Sequence, residues 1–304
     1  MRVTVVFGVM VAAALLMGGL LGSPVRAEEP VSVEVVGLIP RADGSDRTIF
    51  VGVRFIIAPG WHLYWKNPGD LGLPTKVAFE LPPGYSAEPV QWPRPFRFSP
   101  PGEAKMYGYE GEVVLVSRIT PPENYRLGAP VEVTVRTSWL GCTPKSCVRD
   151  AKDLRELLSL EGSKPVAFFE DWIRQVPLPA SRHPAVRAVA ARGDGGLEVL
   201  WQEKVSEVEV VLEQALPTSG WKVAESAQTV DERGAVTTVS AIPGEGPDPR
   251  PIPVLILFRR AGGAADGIAA TIPSKRDDVS PQTLGQAAAA HSATANGNEQ
   301  VVQP

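Results

Sequence analysis

Val131-Glu132-Val133-Thr134-Val135-Arg136-Thr137 alternates apolar and polar side chains and is rich in β-branched residues. That period of two is the signature of a strand buried on one face. The same rhythm recurs upstream in Val31-Ser32-Val33-Glu34-Val35 and in Ile49-Phe50-Val51-Gly52-Val53-Arg54-Phe55. Lys76–Leu81 and Val113–Val116 are further strand candidates. The chain has 30 Pro and 29 Gly, enough to break it into short elements bounded by turns. An all-β fold of packed sheets is the expectation.

Two helices are expected as exceptions. Arg149–Leu160 places Leu154, Leu157 and Leu158 near one helical face, and Val166–Val176 reads as a second, short helix. A break is expected at Pro177-Leu178-Pro179. Beyond it a second strand-rich series runs through Val186–Ala190, Leu197–Trp201, Val208–Leu212, Trp221–Glu225, Val236–Ile242, Val254–Phe258 and Ile268–Ile272. About seven short strands at that spacing fit another small sandwich. From residue 275 to 304 the chain turns to Ala, Gln, Asn, Ser and Gly without an aromatic residue, and has no core of its own.

Residues 1–27 read as an export signal. Arg2 precedes the apolar run Val3–Leu21, Val25-Arg26-Ala27 offers small residues at a cleavage site, and Glu28-Glu29 follows. Left uncleaved, residues 3–22 would anchor the protein in a membrane. The expected division is 1–27 signal, 28–176 first domain, 182–274 second domain and 275–304 tail. The full chain carries a net charge of −4, and loss of Arg2 and Arg26 with the signal makes it −6. That balance argues against nucleic acid or an acidic membrane surface as a partner.

There are two cysteines, in Trp139-Leu140-Gly141-Cys142-Thr143-Pro144-Lys145-Ser146-Cys147. In an oxidising compartment such a pair cross-links. Closing so short a loop contributes only about 2 kcal/mol, against ~4.7 for a loop of 100 residues. A staple would do more if it tied distant strands. Lys145 and Arg149 could stabilise a thiolate, or simply be solvated; Asp150 opposes them. Reversible redox exchange, a structural disulfide and metal binding therefore all stay open. Metal has the least behind it, because two thiols need further ligands and the only histidines are His62, His183 and His291. Spacing alone pairs no cysteine with a histidine. Gly-x-Ser-x-Gly and the Gly-rich phosphate loops are absent.

Three other segments are dense in aromatic residues: Gly60-Trp61-His62-Leu63-Tyr64-Trp65-Lys66-Asn67-Pro68-Gly69-Asp70, Gln91-Trp92-Pro93, and Lys105-Met106-Tyr107-Gly108-Tyr109-Glu110-Gly111-Glu112. Read alone, the first is core plus the turn Asn67–Asp70, and the last is a hairpin connection or a lid.

Together with Leu73-Pro74 and with Trp139-Leu140 before Cys142 and Cys147, these segments resemble the N-terminal periplasmic domain of the thiol:disulfide interchange protein DsbD. They are similar also to the wider group that includes copper-sensitivity suppressor proteins. The resemblance covers about residues 30–160. It implies an immunoglobulin-like β-sandwich, followed here by a second small β-sandwich. It implies that Cys142 and Cys147 are the exchanging, disulfide-forming pair of a protein-disulfide reductase, with no cofactor and no metal. It implies a cap loop at Met106, Tyr107 and Tyr109 that shields the pair. The implied partners are exported thioredoxin-like proteins and a separate membrane electron carrier, since neither an electron channel nor a thioredoxin-like domain is legible in this sequence. A periplasmic or secreted location, cytochrome c maturation and copper tolerance belong to the same implied setting. The alternative is an immunoglobulin-like binding module with a structural disulfide.

Overall fold

The computed structural model describes residues 29–40, 47–99, 104–192, 196–214, 222–223, 227–231, 234–242 and 251–273. The expected signal 1–27 and tail 275–304 lie outside the described residues. Among the described residues no helix is long and apolar enough to cross a membrane.

The first half builds an immunoglobulin-like β-sandwich from ten strands and one helix. The strands are β1 (Val31–Leu38), β2 (Ile49–Ile57), β3 (His62–Gly69), β4 (Lys76–Glu80), β5 (Ser86–Ala87), β6 (Phe96–Arg97), β7 (Met106–Tyr109), β8 (Glu112–Thr120), β9 (Val131–Cys142) and β10 (Cys147–Leu158). One sheet runs β1-β2-β8-β5. The other runs β10-β9-β3-β7-β6, with β4 also paired to β9. The alternation in β9 does what the sequence predicts: Val131, Val133, Val135 and Trp139 are buried between the sheets, while Glu132 and Arg136 face out. They meet Val51, Val53 and Phe55 of β2 and Val113 and Leu115 of β8, with Phe55 edge-on to Trp139 at 5.6 Å. Helix α1 (Val166–Ile173) covers the outer face of the first sheet, where Phe169 stacks on Phe50 at 5.4 Å.

The helix expected over Arg149–Leu160 is instead strand β10, paired with β9 along its whole length from Cys147↔Cys142 to Leu158↔Val131. It is the edge of its sheet and exposed along most of its length. Its inward side sets only Leu154 and Leu158 against the core, too few to force alternation on its sequence. Its Arg149, Asp150, Lys152, Asp153, Arg155 and Glu156 are charges of the kind that protect a free edge.

The second half is a smaller β-sandwich. Its strands are β11 (Leu178–Pro179), β12 (Val186–Ala191), β13 (Leu197–Trp201), β14 (Val205–Leu212), β15 (Lys222–Val223), β16 (Ala227–Asp231), β17 (Gly234–Val239), β18 (Ala241–Ile242), β19 (Ile252–Arg260) and β20 (Ala265–Ile272). One sheet is β11-β20-β19-β14, the other β12-β13-β17-β16, and β15 pairs β18. Val254, Ile256 and Phe258 of β19 fill its core with Leu197, Val199 and Trp201. Leu255 and Leu257, on the opposite face of β19, join the core of the first sandwich together with Val211 of β14. Burial on both faces explains the unbroken apolar run Val254–Phe258.

Candidate redox site

The β9–β10 hairpin places the cysteines. Cys142 is the last residue of β9, Cys147 the first of β10, and they form the terminal pair of the ladder. The four residues between them make the turn that Thr143 and Pro144 suit. Thr143 N donates to Ser146 O at 2.7 Å, and Thr143 Oγ1 accepts from Lys145 N at 3.2 Å and Ser146 N at 3.0 Å. The Cα atoms lie 4.1 Å apart and the sulfurs are joined in a disulfide. The two ends of this bond differ. Cys142 is 2% exposed, whereas Cys147 is on the surface. A group arriving from solvent therefore meets the Cys147 side first.

Strand β3 continues the row. His62 pairs directly with Cys142 across β9, so Cys147, Cys142 and His62 stand side by side on one face of the sheet. The imidazole is half-buried, 4.1 Å from the Phe98 ring and 5.2 Å from Tyr64. Its Nε2 is buried without a hydrogen-bond partner. Burial lowers its titration below the ordinary histidine range. Burial likewise raises that of Tyr64, whose hydroxyl donates to Met106 Sδ at 3.9 Å. Exposed apolar side chains lie about this face: Phe96 beside Phe98, and Leu71 and Leu73 in the loop whose Gly72 lies against the Tyr64 ring.

The residues expected as a cap divide between the two faces of β7. Met106 lies on the face of Tyr64. Tyr107 and Tyr109 point into the core, and Tyr109 Oη donates to Pro93 O at 2.7 Å. Since β3 lies between β7 and β9, none of the three pairs with the cysteines; the ring against His62 is Phe98. Tyr107 Oη is buried with no hydrogen bond of ordinary geometry. Its ionisation is pushed far up, first by burial and then by the nearby Glu209 carboxylate of the second sandwich. Lys145 and Arg149 are exposed and form no ion pair among the described residues. No group of three or more His, Cys, Asp or Glu side chains that could hold a metal occurs among the described residues.

Sequence reasoning missed His62, Phe98 and Glu209. Cys142 and His62 are 80 positions apart, and only the strand order brings them together. The density of aromatic residues around His62 was the one available signal.

Comparison with known proteins agrees with this geometry. The family model described as "Thiol:disulfide interchange protein DsbD, N-terminal" matches residues 29–159. No curated protein matches the chain. Among solved structures, the N-terminal periplasmic domain of ScsB from Proteus mirabilis aligns at a TM-score of 0.53 and 17% identity, covering 81% of this chain and 95% of that one. At that identity the likeness concerns the fold. The reduced N-terminal domain of DsbD from Neisseria meningitidis aligns at 19% identity over 41% of this chain and 83% of its own, with a TM-score of 0.22. Residues 29–159, with the cysteine pair at the end of the β9–β10 hairpin, are thus similar to the DsbD N-terminal domain family.

Proposed function

We propose that the Cys142–Cys147 pair carries out thiol-disulfide exchange in the periplasm, passing electrons from a membrane reductant to exported thioredoxin-like proteins. The observation that carries this reading is the asymmetry of the bond, with one cysteine at the surface and the other buried. In the loading step a carrier thiolate attacks Cys147 Sγ and Cys142 Sγ leaves with the electron pair. The carrier's second thiol then displaces Cys147, leaving the carrier oxidised and the pair reduced. In the delivery step the Cys147 thiolate attacks the partner's disulfide. Cys142 resolves the mixed disulfide, restoring its bond to Cys147 and releasing the partner as a dithiol. Met106, seated on Tyr64, and Phe98, stacked on His62, act as the cap beside the buried sulfur, and Tyr107 and Tyr109 anchor that segment in the core.

The second reading is a structural bond in a binding module, favoured by the position of the pair at the end of a twelve-residue ladder that it would simply pin. The two readings separate cleanly. With exchange, Cys142→Ser accumulates a mixed disulfide through the surface Cys147, dissolved by reductant, and Cys147→Ser traps far less. With a structural bond, both substitutions lower stability by about 2 kcal/mol and trap no specific partner. A reduction potential well below about −300 mV also decides for the structural bond. The identity of the trapped partner assigns the process served, whether cytochrome c maturation, copper tolerance or another.

A further inference from the structure

His62 stands next to Cys142 on the same face, and directly opposed residues of antiparallel strands hold their Cβ atoms about 4.5–5.5 Å apart. The imidazole is thus the polar side chain next inward from the buried sulfur. Its Nε2 is sealed from water and bonded to nothing. A native protein rarely leaves such an atom unpaired unless another state of the molecule uses it. The Phe98 ring, 4.1 Å away, helps keep water off the imidazole.

The exchange makes a demand at this place. To resolve a mixed disulfide, Cys142 must attack as a thiolate, and burial disfavours the charged form of a thiol. The groups around the imidazole offer no other base. Tyr64, on its own strand, is turned to Met106 Sδ, and Phe98 cannot titrate. Continuing the β3–β7 register by one pair sets Glu110 on the far side of His62, at an exposed turn. Burial is the only cause that moves the imidazole's titration, and it moves it down. At neutral pH the ring is therefore a neutral base.

We propose that His62 is a further catalytic residue of the exchange, taking the Cys142 thiol proton at Nε2 as that sulfur closes on Cys147. This rests on the exchange reading given above. In the step, the Cys142–Cys147 bond forms and the bond from Cys147 to the partner sulfur breaks. The partner sulfur leaves with the electron pair, and the Cys142 proton passes to His62 and from there to solvent or to the departing thiolate. Over the delivery half of the cycle the cysteine pair loses two electrons and the partner's disulfide gains them. In the loading direction Cys142 leaves as a thiolate, and its proton comes from the carrier's second thiol as that thiol displaces Cys147, relayed by His62.

The test is a two-phase reaction of the full chain, reduced, with excess dithionitrobenzoate. The first thionitrobenzoate released reports attack by Cys147, and the second reports closure by Cys142. In the unsubstituted protein the second phase should level off above the imidazole titration and fall below it. His62→Gln should leave the first phase intact and slow the second at pH 7 by about a hundredfold, the low end for a lost general base. Its second phase should then climb about tenfold per pH unit, as expected of an unassisted thiol well below its own titration. His62→Phe retains a ring against Phe98 and should show the same loss, which separates proton transfer from packing. An unchanged second phase in both variants overturns the role of His62 while leaving exchange standing. So does a closure rate in the unsubstituted protein that keeps climbing tenfold per unit through pH 8. A first phase that is slow in every form, with the potential of a structural bond, sinks the exchange reading and this proposal with it.

Discussion

At Gly108 a single methyl group would disturb the packing that holds His62 in place. Gly108 pairs with Tyr64 on β3 and with Phe96 on β6. A Cβ there would collide with the Leu63 carbonyl oxygen and come within 3.0 Å of the Phe98 ring. The carbonyl is backbone and cannot turn aside, so Gly108→Ala must push β7 from β3. The expected cost is about 1–3 kcal/mol, the range for overpacked sites. Phe98 should also loosen from His62 and reduction of the disulfide by a small thiol should quicken. A urea midpoint and a reduction rate both equal to those of the unsubstituted protein would refute this. At this scale the site was half legible. Cys142 and Cys147 announce themselves by rarity and closeness. His62 does not, because its meaning comes from being opposite Cys142, and one sequence carries no register between strands 80 positions apart.

Among the elements, α1 and β10 show the two ways in which local pattern and fold can part. Helix α1 has eight residues, no side-chain cap at its start, and no acidic residue in its first turn. Alone it would be too short to persist in water. Tertiary burial holds it, through Phe169, which is 0% exposed against Phe50, Val36, Val114 and Val116. Phe169→Ala should cost about 3–5 kcal/mol, as for other large buried aromatic residues. It should also raise hydrogen exchange across residues 166–173 more than in β9. A loss below 1 kcal/mol would mean that the helix is held elsewhere. The sequence shows this helix because one face is apolar and the ends are marked by Pro165 and Pro177. Strand β10 is the opposite case. Its charges and leucines are good helix formers, and its leucine spacing suits a helix. Pairing along the whole of β9 overrides that preference, and because β10 is a mostly exposed edge strand, charged residues occupy both of its faces and hide the period of two in the sequence. Strand β9, buried on one face, was legible by its alternation, and β2 and β8, covered on both faces, by their β-branched apolar runs.

At the scale of the whole molecule, the two sandwiches are joined next to β6 and β7. Glu209 on β14 meets Arg97 of β6 at 3.2 Å and Lys105, just before β7, at 3.5 Å. Lys66 pairs with Glu213 at 2.6 Å, and Asn67 Nδ2 donates to Leu212 O at 2.8 Å. The register of β14 slips between Ser206 and Glu209, and Glu207 takes a φ of 49° there. A bulge of this kind re-aims the side chains that follow it, here Glu209 toward the first sandwich. Beside the ion pairs, Val211, Leu255 and Leu257 pack into the first core. The proposed domain 28–176 has its own two sheets and most of that core, so in isolation it should still unfold in one cooperative transition. It should do so at lower denaturant than in the intact chain, because those three apolar side chains no longer cover it. In the intact chain, Glu209→Ala should weaken the join by an amount between the ~1 kcal/mol of an exposed pair and the ~3 kcal/mol of a buried one. It should also move the first sandwich's transition toward that of the fragment and speed proteolysis near residues 97–106. Identical midpoints for the fragment and the intact chain would show that the second sandwich lends the first no stability, and absence of any cooperative transition would place the domain boundary elsewhere. If the fragment behaves as expected and also reduces its disulfide faster with a small thiol, the second sandwich acts as a brace that keeps the strands flanking Cys142 closed.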